Sequence, residues 1–129
     1  MQGRITVYCI PKPKHFVPAG GSADISKGFS LSELPLSLQG YCQRFLLRST
    51  SYGLPIRVGS RPVDIPGDLA HATLIEKQAY RLTVKSSEIL IDIQAEEGFR
   101  NAIATLAQLL RQASGYLPSL TIEDYPDIP

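Results

Sequence analysis

Two neighbouring stretches of the chain alternate apolar and polar residues. Tyr80, Leu82 and Val84 alternate with Arg81, Thr83 and Lys85, and Ile89, Ile91 and Ile93 alternate with Leu90, Asp92 and Gln94. The pair Ser86-Ser87 separates the two runs, which predicts an antiparallel hairpin with one apolar face. From Glu97 to Ala113 the period changes. Phe99, Ala102, Ile103, Leu106, Leu109, Leu110 and Ala113 form one stripe, Ala107 stands at its edge, and Gly115 supplies a stop. At 100° per residue this stripe spans about 160°, wider than the roughly 100° that covering one sheet requires. The width predicts a helix that packs on two surfaces.

The rest of the pattern is weaker. Ile5 to Ile10 is an apolar, β-branched run ending at Pro11 and reads as a strand. Pro11 to Gly28 is rich in proline and glycine and is expected to be an irregular connection, followed by an extended piece at Phe29 to Leu31. Ser37 to Ser51 carries Leu38, Tyr41, Cys42, Phe45 and Leu46 at helical spacing, with Gly53 as a stop; Leu47 falls on the opposite side, beside Gly40 and Arg44. Pro55 to Gly59 reads as a short strand, and the Pro62, Pro66 and Gly67 punctuation after it as a loop. Leu117, Leu120 and Ile122 form a last strand. By layer logic this order implies a single α+β domain: a mostly antiparallel β-sheet with two α-helices packed on one face.

Composition agrees with one globular domain: 129 residues, 43% hydrophobic and 19% charged. A chain of this length buries roughly two thirds of its unfolded surface, so it folds without needing disulfides or a metal. The formal charge of +1, with Lys and Arg scattered, gives no field for a polyanion, and no nucleic-acid partner is expected. No run reaches the roughly 18 apolar residues of a membrane span, and the start lacks the charged and apolar regions of a signal peptide. No membrane partner is expected either. Cys9 and Cys42 stand in apolar stretches and read as free buried thiols.

No catalytic constellation is expected. His15 and His71 lie in separate segments without Cys or carboxylate at ligand spacing, so no metal site is assigned. Gly20-Gly21-Ser22 lacks the Lys and helix of a phosphate loop, and no cofactor is implied. Glu96-Glu97 is an adjacent acidic pair at a helix start; neighbours on a helix point about 100° apart, whereas a glycosidase needs two carboxyl groups converging on one bond. At a helix start the pair more simply complements the dipole. Phe16, Tyr52, Tyr116 and Tyr125 are the aromatic residues outside the stripes, and they are too scattered for a sugar platform.

Four spaced elements occur in order: Ile10-Pro11-x-Pro13; the hairpin Tyr80-Arg81-Leu82-x-Val84 to Ile89-x-Ile91; Gly98-Phe99 before Thr105-Leu106-x-Gln108-Leu109; and Ile122-x-Asp124-x-Pro126. Together they resemble the N-terminal non-catalytic domain of family 20 glycoside hydrolases, the β-N-acetylhexosaminidases. The resemblance implies a C-terminal catalytic (β/α)₈ barrel of the same polypeptide, following residue 129, as the domain's partner. Glycan substrate would be met only through that barrel, whose Asp-Glu pair has no counterpart here. It also implies that the helices dock on the barrel while the other face of the sheet meets solvent. On that basis Leu47, Ala104 and Ala107, on helix flanks not needed for the sheet, are the expected docking residues. On the same basis Asp124 and Pro126 are expected to form an exit turn that would set the angle at which the barrel begins. Two alternatives stay open: a stand-alone carbohydrate- or protein-binding module, and the equivalent domain of an O-GlcNAcase-like or α-glucuronidase-like enzyme.

Overall fold

The computed structural model describes residues 13–45, 50–63, 65 and 72–126. Its elements run β1 (His15–Asp24), β2 (Phe29–Ser30), α1 (Leu36–Phe45), β3 (Leu54–Gly59), α2 (Ala72–Gln78), β4 (Tyr80–Val84), β5 (Ile89–Ile93), α3 (Glu96–Gln112) and β6 (Tyr116–Asp124). One six-stranded sheet has the order β1-β6-β4-β5-β3-β2. The pairs β1–β6, β6–β4 and β4–β5 are antiparallel, while β5–β3 and β3–β2 are parallel. The domain is α+β, as expected, with the antiparallel pairings forming one half of a mixed sheet.

The hairpin and α3 build the core. In β4 the side chains alternate, so Leu82 and Val84 face α3 while Arg81 and Thr83 face away. Leu82 lies opposite Ile91 on β5 and Ile122 on β6; Val84 lies opposite Ile89 and Leu120. All six are almost completely buried. Phe99, Ala102, Ile103, Leu106 and Leu109 of α3 join them in one cluster, to which Leu38 and Cys42 of α1 also belong. Each such Leu, Ile or Phe contributes roughly 1.5–3 kcal/mol by leaving water. Glu96 and Glu97 occupy the first turn of α3 and Arg111 the last, matching the helix dipole at both ends.

Two departures from the sequence reading have physical causes. The segment expected to be irregular contains β1, a strand of ten residues. Its register against β6 shifts between Pro18 and Ser22, where Gly20 and Gly21 adopt φ of 76° and 83°. The glycines thus absorb a bulge within a strand, and Pro18 is tolerated because β1 is a sheet edge. Among the described residues there are three helices, not two, because α2 forms where a loop was expected. This short helix is made of good helix formers around one buried anchor, Ile75. α3 lies against both α1 and α2. The first helix is described over Leu36–Phe45, and its expected continuation through Leu47, like the expected strand at Ile5 to Ile10, lies outside the described residues.

Candidate docking site at the chain exit

The end of β6 and the outer flank of α3 meet in a groove of about 420 Å³, lined by Gln78, Tyr80, Asn101, Ala104, Thr105, Gln108, Asp124, Tyr125 and Pro126. On α3 the buried residues run from Thr105 on one edge to Ala107 on the other, an arc of about 200° at 100° per residue. Ala104 falls in the uncovered remainder and is exposed. Asn101, Thr105 and Gln108, at spacings of four and three, form a polar stripe along the edge facing the groove.

The walls are held by hydrogen bonds. The Tyr80 and Thr105 hydroxyls share one at 2.5 Å, and Asn101 Nδ2 donates to the Gln78 carbonyl at 3.0 Å, tying the end of α2 to α3. α3 comes so close to the α2–β4 junction that a Cβ on Gly98 would stand 2.3 Å from the Ala79 carbonyl oxygen. A glycine there is what permits the approach.

The exit is anchored residue by residue. Asp124 is the last residue of β6, and its Oδ1 accepts from the Lys14 backbone N–H at 3.1 Å. The Lys14 ammonium lies 5.4 Å from the centre of the Tyr125 ring, within cation–π range. Glu123 sits on the opposite, polar face of the sheet. There Arg81 Nε and Nη2 converge on its Oε2 at 2.7 and 2.6 Å. Arg81 also lies 3.7 Å from Asp92 and donates to the Arg61 and Pro62 carbonyls. Glu123, Arg81 and Asp92 are direct cross-strand partners, so the pleat alone lines them up in one row.

The expected docking residues differ in exposure. Ala104 lines the groove together with Asp124 and Pro126. Ala107 keeps only 6% of its surface exposed and is covered by the domain itself. Leu47 lies outside the described residues. Of the groove residues, Thr105 and Gln108 enter the sequence reading only as parts of the motif that carries the resemblance, and Gln78 and Asn101 do not enter it at all. The polar spacing of Asn101, Thr105 and Gln108 along the border of the apolar stripe was their available signal.

Elsewhere the chemistry is structural. Tyr41 donates its hydroxyl to Glu96, linking α1 to α3, and this bond to a carboxylate holds the Tyr41 pKa above its ordinary value of 10.0. Cys42 is a free, buried thiol, and burial pushes its pKa up to about 12. Among the described residues no group of three His, Cys, Asp or Glu is placed to hold a metal ion, and no helix is long and apolar enough to cross a membrane. The groove offers amides, hydroxyls, one carboxylate and the flat Ala104 surface: hydrogen bonds and contact, suited to seating a polar partner surface.

A search of curated protein sequences gives no match. Solved structures do. An inactive mutant of the family 20 exo-β-N-acetylglucosaminidase from Vibrio harveyi is similar at 27% identity and a TM-score of 0.60, over 90% of this chain and 18% of that one. The β-N-acetylhexosaminidase from Bacteroides fragilis shares the fold at 18% identity and TM-score 0.65, over 92% of this chain and 25% of its own. The Flavobacterium johnsoniae chitobiase does so at 22% and 0.58, over 88% and 20%. The chain thus spans a quarter or less of the proteins it resembles. The model of glycosyl hydrolase family 20, domain 2, matches residues 6–125. With nearly the whole chain matched, this protein belongs to glycoside hydrolase family 20 as its domain 2.

Proposed function

We propose that this domain is the accessory, non-catalytic part of a β-N-acetylhexosaminidase-like enzyme, packing against a (β/α)₈ barrel that removes terminal N-acetylhexosamine residues. The observation that carries this reading is the pairing of a family match over residues 6–125 with structural relatives of which the domain makes up only 18–25%. Those relatives are named as β-N-acetylglucosaminidase, β-N-acetylhexosaminidase and chitobiase, which motivates the substrate class. The barrel is proposed to meet the exposed flank of α3 at Ala104 and the exit at Asp124 and Pro126. Leu47 belongs to the same proposed contact, as does Ala107 with the little surface it retains.

The polar face of the sheet argues for this orientation. Arg57 bridges Glu33 and Glu88, Lys85 pairs with Glu88, and Arg81 bridges Asp92 and Glu123, so that face satisfies its own charges. The test is hydrolysis of a chromogenic N-acetylglucosaminide. The pure 129-residue chain is expected to give none, and the native polypeptide that contains it is expected to give turnover. Hydrolysis by the pure chain, or an inert native polypeptide, would overturn the reading.

A further inference from the structure

We infer that Arg81 and Lys14 are positioning residues: they clamp Glu123, Asp124 and Tyr125 from both sides of the sheet, so the chain leaves β6 in one fixed direction along the mouth of the α3 groove. The consequence for a barrel rests on the function proposed above; the clamp itself does not.

Three successive residues are each held by a different contact. Glu123 takes two charge-assisted donors from a guanidinium whose side chain is only 12% exposed. That guanidinium is held further: Nη2 also donates to the Pro62 carbonyl, and Nη1 donates to the Arg61 carbonyl and lies 3.7 Å from Asp92. A planar guanidinium that places two donors on one carboxylate oxygen and is itself anchored by backbone carbonyls restricts the direction of that carboxylate. Asp124 is tied on the other face to the Lys14 backbone, next to Pro13, and Tyr125 receives the Lys14 ammonium over its ring. The backbone chemistry acts in the same sense. Pro126 fixes its own φ and holds Tyr125 extended, and Glu123 to Pro126 contains no glycine. A flexible tether is built from the opposite residues.

The test uses the 129-residue chain and nitrogen-15 relaxation at the Glu123, Asp124 and Tyr125 amides. In the unaltered protein these should match the strand interior, with order parameters of about 0.85. The double variant Glu123→Gln, Lys14→Met removes one ion pair and the ammonium while leaving the Lys14 N–H and the apolar core in place. Its Tyr125 order parameter should fall below about 0.6 while Leu82 and Ile122 keep theirs. A mobile Tyr125 in the unaltered chain, or an unchanged one in the double variant, would overturn the clamp. A second arm tests its use: in the native polypeptide the same double variant should lower kcat/KM toward an N-acetylhexosaminide with this domain still folded. Relaxation that behaves as stated beside unaltered kcat/KM would keep the clamp and refute its service to a barrel.

Discussion

Gly59 stands directly opposite Asp92 across the parallel pair β3–β5, and a Cβ at Gly59 would come within 2.3 Å of Asp92 Oδ1. A flexible carboxylate would step aside, but this one accepts from the Arg61 backbone N–H at 3.3 Å and faces Arg81. Gly59→Ala should therefore cost about 1–3 kcal/mol, in the range of an overpacked site. Urea unfolding would measure it. In an Asp92→Ala background the same substitution should cost much less, because the atom it strikes is gone; equal costs in both backgrounds would contradict the contact.

Gly40 shows the reverse case. It lies inside α1, is exposed, and an added Cβ would meet nothing within 4 Å. Gly40→Ala should stabilise the domain by up to about 1 kcal/mol through helix propensity. Gly98→Ala on α3 should instead destabilise, since the obstruction is the Ala79 backbone. Melting temperatures moving in the same direction would refute the contrast.

Removing the centre of the charged row should cost more than removing its end. Arg81→Met leaves Asp92, 4% exposed, as an uncompensated buried charge, a loss of about 3 kcal/mol. Glu123→Gln keeps a hydrogen-bond acceptor and leaves Arg81 with Asp92, so its cost should be clearly smaller. Chemical denaturation of the two variants would check the ranking, and the opposite order would show that Arg81 is not the hub.

Cys42 gives a pH signature with a definite sign. The folded thiol titrates at about 12 because it is buried, against an ordinary value of 9.0. Above pH 9 the unfolded chain releases a proton that the folded chain keeps, so stability is full below pH 9 and declines as pH rises toward 12. Cys42→Ala should lessen that decline relative to the unaltered protein, and native Cys42 should resist alkylation at pH 8 when its peptide is mapped by mass. Rapid alkylation of that peptide in the folded protein would contradict the burial.

What could be read from sequence was what depended on local period. The hairpin and α3 were legible because Tyr80 to Ile93 alternates and Phe99 to Leu109 repeats at helical spacing, each over enough residues to define a face. β1 was hidden because Pro18, Gly20 and Gly21 are strand breakers locally; the partner that holds them in a strand, β6, lies about a hundred residues away. α2 was hidden because Ile75, its one buried residue among those whose burial is described, defines no stripe. The parallel pairing of β3 with β5 is a tertiary choice with no local mark. At the site, Ala104 was legible as a residue outside the apolar stripe. The cover over Ala107 was not, because a residue at the stripe's edge is buried or bare according to what neighbours it.

The proposed service of this domain to a catalytic barrel on the same polypeptide is tested by the intact mass of the native protein, recovered with an antibody against this domain. The expected mass exceeds 14.1 kDa by at least a barrel of roughly 250 residues. A native mass near 14.1 kDa would contradict it and make the domain a module that acts alone.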